Sequence, residues 1–125
     1  MKEYMLLIRN EIDQTSQLSE EKHQQFLKDC MIYIEGLLKE KKLKEAQPLV
    51  KEGIIISKSG DAWKDGPFNE TKEVIVGYYH VVVKDLAEAI SIAKQNPEFV
   101  YTKTARIEIR EIKTKEESTN YVYPR

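Results

Sequence analysis

The segment Asp65-Gly66-Pro67-Phe68-Asn69-Glu70-Thr71-Lys72-Glu73 sets carboxylates, a hydroxyl, a lysine and an aromatic ring beside a Gly-Pro step, directly before a long apolar run. Packing alone does not ask for that combination, so it is the first candidate for a site. Asp65 or Glu70 would be the acidic group, and Lys72 could hold an anion. Gly66, Pro67, Phe68, Thr71 and Glu73 would line the ligand. Downstream, Tyr78 and His80 share one parity with Glu70 and Lys72, and so one face of a strand if the pleat is unbroken from residue 70 to 82. Glu73, Ile75, Gly77 and Tyr79 fall on the other face, where Gly77 would let a helix come close. Arg106, Glu108 and Arg110 alternate with Ile107 and Ile109 in the same manner. A histidine such as His80 can act as base or proton shuttle, while Arg110 can grip a carboxylate with two hydrogen bonds. A cofactor-free acid–base site for a small organic molecule, in a polar cleft on the open face of a sheet, is the chemistry these residues could do.

Each of these features also has a plainer reading. Asp65-Gly66 are common turn formers, with Pro67 fixing the backbone after them. Glu70 and Lys72 can be a solvated ion pair contributing about 0–1 kcal/mol. A strand histidine can serve a hydrogen bond rather than a reaction. Cys30 falls on an apolar helix stripe and reads as core filling. Trp63 can anchor a hairpin as readily as it can carry a ligand.

Composition removes other classes. The chain has 125 residues, 41% hydrophobic and 33% charged, with a formal net charge of −1, which fits one globular domain. Acidic and basic residues are interspersed, unlike the basic stripe that phosphate neutralisation requires, so nucleic acid is not an expected partner. One cysteine and two histidines without matched spacing give no disulfide framework and no metal signature. Gly-rich phosphate loops and nucleophile elbows are missing. No cofactor is therefore expected. The apolar run after Met1 is too short for a signal segment or membrane span, and the cytoplasm is the default compartment.

The elements that must position these groups can be sketched from periodicity. Tyr4 to Ile8 reads as a first strand and residues 10 to 18 as a loop. Ser19 caps a helix running to about Lys42, with Phe26, Leu27, Cys30, Met31, Ile34, Leu37 and Leu38 as its apolar stripe. Leu49 to Ser57 reads as a second strand centred on Ile54, Ile55 and Ile56, followed by a turn at Ser59-Gly60-Asp61. Glu73 to Lys84 is the strongest strand. Asp85 and Glu88 form a capping box for a second helix with Leu86, Ala89, Ile90 and Ala93 inward, ended by Asn96-Pro97. Arg106 to Ile112 closes the order βαββαβ, a ferredoxin-like α+β sandwich with helices on one face of the sheet. The other face is left open, so a homodimer packed sheet to sheet is expected. The domain spans 1–112, and the tail 113–125, with Tyr121-Val122-Tyr123, is either disordered or an exchanged arm.

Asp65, Gly66, Pro67, Phe68, Glu70, Thr71, Lys72 and Glu73 occupy every fixed position of the signature Asp-Gly-Pro-Phe-x-Glu-Thr-Lys-Glu, and on this the chain resembles the YCII-related, DGPF-domain family. Tyr4-Met5-Leu6-Leu7-Ile8, Pro48-Leu49, Gly77-Tyr78-Tyr79, Glu88-Ala89-Ile90 and Glu108-Ile109-Arg110 extend the resemblance over roughly Met1 to Ile112. His80 departs from it, since that place is usually apolar. The resemblance implies a dimeric α/β barrel, a fold whose wider membership includes cofactor-free isomerases, monooxygenases and lyases with a cleft inside each protomer's half of the barrel. It also implies a second role, because some relatives accompany extracytoplasmic-function sigma factors: a non-enzymatic regulatory or protein-interaction module. Fold does not choose between them.

Overall fold

Alternation in the first residues builds the central strand. In the computed structural model, which describes residues 1–11, 14–67 and 73–124, β1 spans Lys2–Glu11. Tyr4, Leu6, Ile8 and Asn10 are buried along one side of it, and Glu3, Met5, Leu7, Arg9 and Glu11 are half-buried along the other. β1 pairs antiparallel with β5 (Glu73–Val83) and with β6 (Arg106–Glu111), and β2 (Leu43–Pro48) adds to the far edge of β5. The sheet order β2-β5-β1-β6, with its helices packed on one face, is a ferredoxin-like α+β fold.

α1 (Glu20–Lys39) begins where Ser19 Oγ accepts the Lys22 N–H at 3.2 Å, and Glu20 and Glu21 suit the positive end of its dipole. It ends with Lys41 at a left-handed φ of 59°, where the Lys42 N–H reaches Leu37 and the Lys41 N–H reaches Leu38, the closing pattern usually given to glycine. Of the expected stripe, Phe26 and Leu37 are buried and Cys30 and Ile34 half-buried, whereas Leu27, Met31 and Leu38 stay exposed. One helix on a four-stranded sheet covers a narrow arc. α2 (Leu86–Lys94) starts as expected, with Asp85 Oδ1 accepting the Glu88 N–H at 2.9 Å. The return bond from Glu88 goes to the Lys84 N–H. Ala89, Ile92 and Ala93 face inward, while Leu86 and Ile90, expected inward, do not. A short α3 (Glu98–Tyr101) follows Pro97.

The second strand is not where apolar content placed it. β2 is the polar run Leu43–Pro48, and Ile54, Ile55 and Ile56 lie in β3 (Ile54–Ser59), which pairs only with β4 (Ala62–Pro67) in a separate two-stranded hairpin turned at Gly60, φ 61°. An edge strand with one covered face needs few apolar residues, and Leu43 and Ala46 suffice. The order βαββαβ survives in the main sheet with this hairpin inserted before β5. Asp65-Gly66 therefore lies in a strand, not a turn.

The register of β1 against β5 slips once. Ile8 pairs with Gly77 and Arg9 with Ile75, so Val76 is an extra residue on β5. Past that bulge Gly77, Tyr79, Val81 and Val83 are buried under the helices, and Tyr78 and His80 point to the open face, as parity requires. Before it the faces exchange. Glu73 and Ile75 pair with Glu11 and Arg9 and turn to the open face, while Val74 turns inward beside Asn10. The unbroken pleat expected through residues 70 to 82 does not hold. Gly77 does permit a close approach, but of β2 and not of a helix: a Cβ there would lie 3.1 Å from the Gln47 carbonyl oxygen.

Leu6, Val81, Val83 and Ala89 are fully buried at the centre of the core. Beside them Asn10, 1% exposed, donates to Glu98 Oε1 and Thr102 Oγ1 at 3.0 Å each and accepts from Thr104 Oγ1 and the Glu11 N–H. Every hydrogen-bonding capacity of the amide is used, which ties the end of β1 to the α3 segment. Asn10→Ala leaves those partners unsatisfied and should lower unfolding free energy by about 3 kcal/mol in denaturant titration; a loss under half of that would show that water replaces the amide.

Candidate functional site

Two clusters lie on the open face. At the β6 end, Arg106 grips Glu73 through two bonds, Nε to Oε2 and Nη2 to Oε1, both 2.8 Å. Arg9 Nε reaches Glu73 Oε1 at 2.8 Å and Arg9 Nη1 reaches Glu108 Oε1 at 2.8 Å. Arg106, and then Arg9, hold the Glu73 carboxyl down at about 2. The last residue of the signature thus cross-links β5, β1 and β6, and the bulge at Val76 puts it there.

At the β2 end, His80 Nε2 lies 2.7 Å from Glu3 Oε1, and Lys44 Nζ approaches the same oxygen at 3.2 Å. A carboxylate only accepts, so Nε2 carries the hydrogen and Nδ1 is left as the basic nitrogen. The Tyr78 hydroxyl donates to Glu45 Oε1 at 2.9 Å, which raises the phenol pKa. In the row crossing the sheet, His80 pairs with Met5 and Met5 with Arg110, so His80 and Arg110 stand two strand spacings apart, about 10 Å. The Arg110 side chain is 72% exposed, and its nearest carboxylate, that of Glu108, is 3.9 Å away.

Tyr78, His80, Arg110 and Glu73 are brought onto one face. Asp65, Gly66 and Pro67 are in β4, paired with Ile56, Ile55 and Ile54, with Asp65 exposed. Phe68, Glu70, Thr71 and Lys72 lie outside the described residues. Sequence reasoning passed over Glu3, Arg9, Lys44 and Glu45. Extending the alternation of β1 by a residue or more at each end would have found the first two; Lys44 and Glu45 carry no local signal, because the strand that presents them is polar. Among the described residues, no three His, Cys, Asp or Glu side chains gather as a metal would need, and no helix is long and apolar enough to cross a membrane.

Residues 3–115 match the family model of the YCII-related domain. The chain belongs to the YCII-related family. No curated protein matches it. The match covers every strand and helix of the sheet, so both open-face clusters are built on this YCII-related domain.

A depressed carboxyl pKa means stabilisation that is present above the unfolded value of 4.5 and lost as pH falls through about 2. The thermal midpoint should therefore drop between pH 4.5 and 2, and Glu73→Gln should flatten that drop. Equal acid sensitivity in both proteins would remove Glu73 from the account.

Proposed function

We propose that this YCII-related protein binds a small organic anion on the open face of its sheet, with the imidazole of His80 as a proton acceptor and Arg110 as the anion's anchor. The observation that carries this is the Glu3–His80 contact at 2.7 Å in the same row as Arg110. Glu3 orients the ring and would stabilise the imidazolium formed when Nδ1 takes a proton. Arg110 stands about 10 Å away along the backbone row, and its long side chain would bring the guanidinium to a carboxylate held near the imidazole. Tyr78 would present its hydroxyl to the same ligand. Of the signature, Asp65 would act from the hairpin and Glu73 would brace the open face, with Glu70 as the second acidic candidate of the same segment. No cofactor enters this chemistry.

A second copy of the chain would cover that face and enclose the ligand, making the dimeric α/β barrel and the homodimer part of the same proposal. The alternative is a regulatory or docking module without catalysis. It draws on the hairpin, where Ile54, Ile55, Ile56 and Trp63 are 71%, 57%, 67% and 71% exposed, the kind of apolar surface that partners cover.

Calorimetric titration with a panel of short 2-keto acids tests the reading. Arg110→Ala should weaken binding by about ten- to a hundredfold, the loss of one charge-assisted pair, with cooperative unfolding unchanged. His80→Gln should retain binding but slow exchange of the acid's 3-protons for deuterium, read by proton NMR. Affinity unchanged in Arg110→Ala would overturn the anchor, and no binding across the panel would favour the docking module. Sedimentation should return twice the 14.6 kDa protomer mass.

A further inference from the structure

The opposite face of the sheet holds a cavity of about 280 Å³ between α1 and the β2–β5 edge. Its walls are mostly apolar, Ile8, Phe26, Ile34, Val74 and Val76 among them, with Thr15, Ser16 and Gln47 as further polar members and the exposed Leu49, Val50 and Lys51 at the edge. Val74 reaches it only because the bulge at Val76 turns that side chain inward. An apolar cavity of about 150 Å³ accommodates benzene, so this one has room for a ring with a short substituent.

Asn96 also lines the cavity and is 3% exposed. Its Oδ1 accepts the Glu98 N–H at 2.8 Å, which fixes the amide orientation and leaves Nδ2 as the free end. Among the described residues Nδ2 has no hydrogen-bond partner. It lies near the hydroxyls of Tyr33 and Tyr79, where it partly offsets the rise that burial imposes on both phenols, yet it meets neither in hydrogen-bonding geometry. The Tyr33 hydroxyl gives its own hydrogen to the Ile92 carbonyl at 2.6 Å. A buried donor without an acceptor costs about 1–3 kcal/mol, and an oxygen atom placed in the cavity would recover it.

The other polar groups of the wall limit what that oxygen can belong to. Glu98, 7% exposed, holds Asn10 through Oε1, and burial raises its pKa. Burial likewise pushes the Cys30 thiol up to about 11, so it stays protonated and is no nucleophile. Among the described residues the only cation in the lining is Lys51, and it stands at the edge. An anion bound deep in the cavity would lie next to the Glu98 carboxyl and away from that lysine.

We infer that this cavity is a second binding site, distinct from the open face, for a small neutral ring compound bearing one carbonyl oxygen, which would accept a hydrogen bond from Asn96 Nδ2. Neither the signature segment nor His80 takes part.

Acetophenone, ethylbenzene and benzoate share a ring and differ in the group that would meet Asn96. Calorimetry on the full chain should find acetophenone at least tenfold tighter than ethylbenzene, with benzoate not binding in the cavity. Asn96→Asp keeps the acceptor for the Glu98 N–H and removes the donor, and should abolish the ketone's advantage. The carbonyl stretch of ¹³C-labelled acetophenone on the unmodified protein gives a reading that needs no variant: it should move to lower wavenumber than in hexane. Equal affinity for ketone and hydrocarbon, binding of neither, a preference that persists in Asn96→Asp, or a stretch at its hexane value would each overturn the inference. Arg110→Ala, which disables the open face, should leave acetophenone affinity unchanged; a loss there would mean that the two sites are one.

Discussion

One extra residue in one strand decides what each side of this sheet can do. Val76 interrupts the pairing of β1 with β5, and a shift of one residue exchanges every side chain beyond it between faces. With an unbroken pleat, Glu73 would point at the helices as an unpaired buried carboxylate, a costly arrangement, and Val74 would sit among arginines. With the bulge, the carboxylate meets Arg9 and Arg106, and the valine closes the wall of the cavity.

The two faces then follow different electrostatic rules. On the open face, charges come in compensating sets. Glu73 and Glu108 lie among Arg9 and Arg106, and Glu3 lies between His80 and Lys44. Such sets remain partly hydrated and can exchange a partner for a ligand anion at modest cost. Under the helices polar groups are few and nearly all are satisfied, with Asn10 using its whole amide. Against that background the unused Nδ2 of Asn96 is an exception, and a buried polar group without a partner calls for an explanation.

How far the sequence exposed this depends on whether each signal was local. The caps at Ser19 and Asp85 were legible because a side-chain oxygen three residues from an amide is a contact within one turn. The inward faces of Tyr79, Val81 and Val83, and the outward ones of Tyr78 and His80, followed from strand parity alone. β2 was missed because an edge strand takes its identity from the neighbour it pairs with: Leu43–Pro48 has little apolar content of its own, and the isoleucines a few residues on were the stronger false signal. The bulge left no mark, since an extra residue does not change composition, and with it went the correct face for Glu73. Of the candidate site, Tyr78, His80 and Arg110 were placed on one face from sequence, but Glu3, which orients His80, and Arg9, which balances Glu73, appear only once β1 is seen to run from Lys2 to Glu11.

That the two faces are separate sites for different chemistry is the claim on which the rest turns, and chemical-shift mapping on ¹⁵N-labelled protein addresses it directly. A short keto acid and a neutral aryl ketone would be titrated separately. The acid should move resonances of Met5, His80 and Arg110, whereas the ketone should move the Asn96 side-chain amide with Val74 and Gly77. If both compounds moved the same resonances, the division of the sheet into two sites would be wrong.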